Sequence, residues 1–267
     1  MRSVTMFIAL VALLYTVCTA SALPLGPEFN QGFEDNIDGW FTPTRVASGT
    51  NGITAADGSW YATVTGGEFT RWGGYADEWP TGGWTTSIDI YLDMDYAAQQ
   101  ANHDTRMAWS SAANGTDSTH QRDFIFNVGT IWKDAADYYY AISWDNGGFW
   151  PDNPGKDPLH LTTGGWYTLQ HRFYDNGGLL GVDMSVLDPV GTELKLWTLP
   201  SNAEDTVPAE VGANRYGWFV NSGFPSLAID NSYRSGPAST DESPEPATWL
   251  LLACTGVAAA IRRKRSA

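Results

Sequence analysis

The sequence predicts an all-β fold, a single antiparallel β-sandwich built from roughly ten or more short strands. Three observations carry this. Apolar and polar residues alternate over short runs, Gly, Asn and Asp separate those runs, and no stretch between residues 23 and 234 sustains a helical period. A chain of that length without a second composition boundary suits one β domain with a substantial core.

The elements follow from the alternation. In "GWTTSIDIYLD", Trp84, Thr86, Ile88, Ile90 and Leu92 share one face, with Thr85, Ser87, Asp89, Tyr91 and Asp93 on the other. In "WYTLQHRFY", Tyr167, Leu169, His171 and Phe173 point one way and Gln170 and Arg172 the other. "DNGG" at 175–178 is a hairpin turn, since Gly and Asn accept positive φ. Leu180, Val182, Met184 and Val186 then continue the inward face, and "DPVG" at 188–191 turns into "TELKLWTL" to complete a three-strand meander. Further strands are expected at 59–64, 122–128, 138–144, 216–220 and 227–233.

The two ends differ from the body. Arg2, an apolar run at 4–17 and the small-x-small pattern Ala20-Ser21-Ala22 make residues 1–22 a secretory signal peptide, cleaved after the pattern that Ala20 and Ala22 define. Residues 235–246 are rich in Ser, Pro and acid, a flexible linker with nothing to pack. Residues 247–261 form an apolar transmembrane segment, short against the ~20 residues a spanning helix needs. The basic residues Arg262, Arg263, Lys264 and Arg265 follow, so residues 262–267 are a cytoplasmic tail and the body lies outside the membrane.

Charge narrows the partners. Of the 15 Lys and Arg, five (Arg2, Arg262, Arg263, Lys264 and Arg265) lie in the two ends, whereas all 30 Asp and Glu lie between them. The body thus carries ten basic against 30 acidic residues, a net charge of −20, which repels phosphate backbones and excludes nucleic acid as a partner. Both cysteines, Cys18 and Cys254, fall outside the body, so core packing has to hold it without an internal disulfide.

Pro244-Glu245-Pro246, the apolar run and the terminal basic cluster, in that order, resemble the PEP-CTERM sorting signal of bacteria, a tail also labelled ice-binding protein C-terminal domain. That resemblance implies processing by exosortase near Pro246 and delivery to the cell surface or beyond, with only transient anchoring in the cytoplasmic membrane. The body has a second, diffuse resemblance. "GFEDNIDGWF" at 32–41 and "LAIDNSYRSG" at 227–236 are similar to the opening and closing strands of jelly-roll carbohydrate-binding modules. The meander between them looks like that of laminin-G and concanavalin-like sandwiches. The jelly-roll resemblance implies one structural Ca²⁺ held by oxygen ligands from both chain ends, with Glu34 and Asp230 at the matching positions and Asp57 as a further oxygen.

Twelve of the 13 tryptophans lie in the body. Trp72, Trp79 and Trp150, each beside turn residues, are the candidate platforms on which a sugar face would stack. A hydrolytic reading rests on Asp89, Asp93 and Asp95 along one strand face, but Tyr91 interrupts the series and no Glu accompanies it. His103, His120, His160 and His171 have no metal-ligand spacing, and His171 falls on an apolar strand face where a core role is expected. The sequence therefore points to an exported cell-surface or matrix protein with a non-catalytic, glycan-associated sandwich. The alternatives are a polysaccharide hydrolase or lyase on the same fold, or a purely structural or adhesive protein.

Overall fold

The computed structural model describes residues 28–72, 83–99, 105–115, 120–144, 150–205, 211–212 and 217–236. Their strands are β1 (Phe29–Gln31), β2 (Trp40–Phe41), β3 (Thr44–Ala47), β4 (Trp60–Val64), β5 (Phe69–Thr70) and β6 (Trp84–Leu92). A short helix α1 (Met94–Gln99) follows, then β7 (Arg106–Gly115), β8 (His120–Asp134), β9 (Asp137–Trp144) and β10 (Leu159–Leu161). The chain continues through β11 (Gly165–Asp175), β12 (Leu180–Leu187), β13 (Glu193–Leu199), β14 (Val211–Gly212), β15 (Gly217–Ser222) and β16 (Leu227–Arg234).

These strands form two antiparallel sheets. The first runs β13-β12-β11-β6-β16-β4-β3, with β1 added beside β16, and the second runs β10-β9-β8-β7-β15-β5-β2, with β14 added beside β7. The alternation seen in the sequence decides what faces inward. Trp84, Ile88, Ile90 and Leu92 of β6, Leu169 and Phe173 of β11, and Leu180, Val182, Met184 and Val186 of β12 are all buried. So are Met107 and Trp109 of β7, Phe124, Phe126 and Val128 of β8, and Tyr140 and Ile142 of β9. Fully burying a side chain of this size contributes about 1.5–3 kcal/mol, and one continuous cluster joins both sheets.

Aromatic contacts stitch the layers together. Phe173 stacks on Trp84 within the first sheet at 4.4 Å and meets Phe124 of the second edge-on at 5.4 Å. His171 lies in this core, its ring 4.8 Å from both Trp109 and Phe126. Desolvation lowers its pKa to about 3, so it stays neutral and packs as a polar aromatic.

Three expectations from the sequence are corrected. The opening motif is not one strand: β1 ends at Gln31, residues 32–39 form a loop, and the chain re-enters a sheet at Trp40. The strand placed at 122–128 runs from His120 to Asp134, and β7 was not expected at all. Beyond β6 the chain leaves the sheet, so Asp95 sits on α1 and the three acids do not line one strand face. The meander of β11, β12 and β13 is present as read, with Gly178 N–H closing its first turn on Asp175 Oδ1 at 2.5 Å.

Candidate functional site

Two groups of side chains draw on the first sheet, whose central strands are β6 and β16. One is a pair of carboxyls on neighbouring strands. Asp89 of β6 and Asp230 of β16 are directly opposed, and the register slips just beyond Asp230. The slip is a β-bulge: Asn231 takes a left-handed backbone, φ 45°, which Asn tolerates better than most residues. The bulge frees Asn231 to bridge the pair. Its backbone N–H donates to Asp230 Oδ1 at 2.9 Å and its side-chain amide to Asp89 Oδ2 at 2.8 Å. Thr168 Oγ1 donates to the other Asp89 oxygen at 2.5 Å. Burial raises the pKa of both carboxyls, Asp230 to about 7, and the charge of Asp89 adds to the rise at Asp230.

Asp230 and Glu34 hold the same loop. Asp230 Oδ2 accepts from the backbone N–H groups of Ala56 and Asp57 at 3.0 and 3.4 Å. Glu34 Oε1 accepts from Ser59 and Trp60 at 3.0 and 2.9 Å, and Oε2 accepts from Ser59 at 3.0 Å. Arg45 anchors the Glu34 backbone by donating to the carbonyls of Phe33 and Glu34, and its guanidinium lies 3.5 Å over the Trp60 ring. The opening and closing segments of the domain therefore meet, as the jelly-roll resemblance implies. Their acids are turned onto successive amides of residues 56–60. Among the described residues no three His, Cys, Asp or Glu side chains gather as a metal-binding set. Glu34, Asp57 and Asp230 thus do not fit the Ca²⁺ that the resemblance implied.

The second group is a pocket of about 160 Å³ at the end of the sandwich. Its walls come from β4, the end of β6, α1, β9, the loop at 51–53 and the β15–β16 connection. Tyr61 and Tyr140 are fully buried at its base, and their hydroxyls are already engaged. Tyr61 donates to the Thr50 carbonyl and Tyr140 to the Asp93 carbonyl, both at 3.0 Å, and burial raises both phenol pKa values. Tyr96 leans on Phe224 with ring centres 5.3 Å apart, and Tyr91 meets Trp166 edge-on at 5.4 Å. Trp166 in turn donates its indole N–H to the Thr54 carbonyl at 2.7 Å, which holds down the loop carrying Asn51 and Ile53. The rings are positioned before any ligand arrives.

Of the tryptophans proposed from the sequence, Trp72 and Trp150 do not line this pocket. Trp72 is turned inward, 3% exposed, and packs edge-on against Trp84 at 5.7 Å, so no ligand ring can stack on it. Its φ of 48° lets the turn fold the indole back into the core. Trp150 is half-buried on the outer face of the second sheet, against Ile131, Tyr139 and Ala141. Trp79, the signal peptide and the tail residues Pro244, Glu245, Pro246 and Arg262 to Arg265 lie outside the described residues. The sequence reading missed the tyrosines. Their signal is present as "IYLDMDY", where two tyrosines flank a strand end among the acids.

Against known proteins, residues 244–265 match the model of the PEP-CTERM protein-sorting motif. The motif indicates an exported protein, anchored in the membrane by its C-terminal tail before exosortase processing. No curated protein matches the chain. Solved structures similar to it include lectin II from Ulex europaeus, at TM-score 0.43 and 10% identity over 80% of this chain and 99% of the lectin. Peanut lectin with a 9mer peptide gives TM-score 0.42 and 9% identity over 78% and 96% of the two chains. Basic winged bean lectin with Tn-antigen gives 0.40 and 13% over 78% and 96%. At such scores the likeness carries no argument, and the sandwich stands on its own strand pairing.

Proposed function

We propose that this exported protein is a glycan-associated component of the cell surface or extracellular matrix, and that its sandwich binds without catalysing. The observation that carries this reading is the pocket at the sandwich end, where aromatic rings and polar side chains share one small cavity. The sorting motif supplies the setting, a site outside the cell. The acids on which a hydrolytic reading would rest support the non-catalytic side. Asp89 spends both oxygens on Thr168 and Asn231, and Asp95 stands on a helix beyond the strand.

The test uses the full chain, solubilised in detergent, with a panel of neutral, basic and acidic polysaccharides, and follows both retention and release of reducing ends. Retention without release is the expected result. Release would show a hydrolase or lyase, and neither signal would leave a structural or adhesive protein.

A further inference from the structure

We propose that the pocket lined by Tyr91, Tyr96, Asp93, Asn51, Ser226 and Phe224 binds the terminal pyranose residue of a neutral glycan. This rests on the glycan-associated reading above and assigns it a site, a sugar class and a chain position.

The argument starts from what the lining residues have left to offer. Tyr61 and Tyr140 are committed to backbone carbonyls. Tyr91 and Tyr96 are half-buried, and among the described residues neither hydroxyl has a hydrogen-bond partner. Asp93 is exposed and uses Oδ1 to accept from Asp95 N–H at 2.9 Å, while Oδ2 has no partner among the described residues. Asn51 and Ser226 are exposed and likewise make no side-chain hydrogen bond among those residues. The pocket therefore presents both donors and acceptors around ring faces and edges. Sugar hydroxyls are donors and acceptors at once, and the C–H face of a pyranose stacks on an aromatic ring.

Competing ligand classes satisfy fewer of these groups. A quaternary ammonium would use the rings and the Asp93 charge but offers nothing to the hydroxyl and amide donors. An anionic sugar would face Asp93 and the strongly acidic body. Size and depth fix the position in the glycan. A cavity of about 160 Å³ has room for one ring, and the buried side chains of Tyr61 and Tyr140 form part of its wall, which suits a terminal residue better than a chain interior. Ser226, Asn51 and Asp93 are exposed and mark its open side.

The experiment measures binding of the methyl glycosides of glucose, galactose, mannose and N-acetylglucosamine, with methyl glucuronoside and choline as counter-ligands. Saturation-transfer NMR on the full chain in detergent gives the affinities, beside retention on the polysaccharide panel. Tyr91→Phe, Tyr96→Phe and Asp93→Asn are compared with Val190→Ser, a change at a residue 86% exposed and outside the pocket. The Phe variants remove no hydrogen bond to a described residue, and Asn at 93 still accepts from Asp95, so folding should survive. Near-UV circular dichroism checks this, and any variant that fails it yields to the other two. The expected result is binding of at least one neutral glycoside that each pocket variant weakens roughly tenfold, the scale of one lost hydrogen bond, and that Val190→Ser leaves alone. Glycoside binding unchanged in the pocket variants overturns the site and leaves glycan association standing. Polysaccharide retention without binding of any methyl glycoside does the same. Binding of choline or the glucuronoside alone overturns the neutral-sugar assignment. Absence of all binding overturns both this inference and the reading beneath it.

Discussion

Asp230 has no exposed surface, a raised pKa and an acidic neighbour, and the cost of that arrangement depends on pH. Its folded pKa of about 7 lies above the ordinary 3.8, so between those values the folded chain keeps a proton that the unfolded chain releases. Stability contributed by this group is therefore present at low pH and lost as pH rises toward 7, beyond which the dependence flattens. Asp89, raised for the same cause, acts in the same direction. Melting temperatures of the wild type and Asp230→Asn from pH 4.5 to 8 should differ most in slope, with the variant losing the share of the decline that Asp230 contributes, whatever its absolute stability. Parallel curves would mean that Asp230 does not titrate in this range. Gly58 gives a second residue-scale prediction. Its φ is +65°, and a Cβ there would stand 2.4 Å from the Glu34 carboxyl. Gly58→Ala should cost about 1–3 kcal/mol by strain alone, read from chemical denaturation, and it should also displace Glu34 from Ser59 and Trp60.

At the scale of elements, the loop between β3 and β4 is held by hydrogen bonds where the jelly-roll resemblance implied a cation. The Glu34 and Asp230 carboxylates each accept from the loop's own amides, which already satisfies donors that would otherwise need water. EDTA should therefore leave the melting temperature unchanged, and added Ca²⁺ should not raise it. A fall with EDTA that Ca²⁺ reverses would show a native-state metal site after all. The same region shows how far the sequence could be read. Strands β6, β11 and β12 were legible because each opposes large apolar residues to polar ones, the contrast a half-buried strand needs. Strand β7 was not, because its outward Ala108, Ser110 and Ala112 are small, two of them fully covered, and the period-two contrast collapses. Helix α1 is too short to show a period. The meeting of Glu34 with the Asp230 region was legible as a pair of terminal motifs. What those acids touch depends on a bulge at Asn231 and a loop fold that no local pattern specifies. Trp72 marks the same limit, since a residue beside glycines can be turned either way and only the left-handed turn sends it inward.

For the whole molecule, the acidic body and the basic tail play separate physical parts. The body's charge of −20 keeps it soluble and away from anionic surfaces. The 15-residue apolar run at 247–261 and the Arg262–Arg265 cluster hold the tail in the membrane with the sandwich outside. A span below the ~20 residues of a comfortable membrane helix suits transient residence better than permanent anchoring. The Ser-, Pro- and acid-rich composition between body and tail is expected to leave Pro244-Glu245-Pro246 open to a processing enzyme. Replacing Pro244, Glu245 and Pro246 by Ala in the native host should leave the sandwich folded but block maturation. The variant would then run larger than the processed wild type on immunoblots and stay in the membrane fraction. Replacing Arg262, Arg263, Lys264 and Arg265 by Ser tests the other half, because without positive charges the apolar run loses its cytoplasmic anchor and the chain should escape unprocessed. If the Pro-Glu-Pro variant matches the wild type in size and location, the motif does not direct this protein's fate, and the apolar run is a plain membrane anchor.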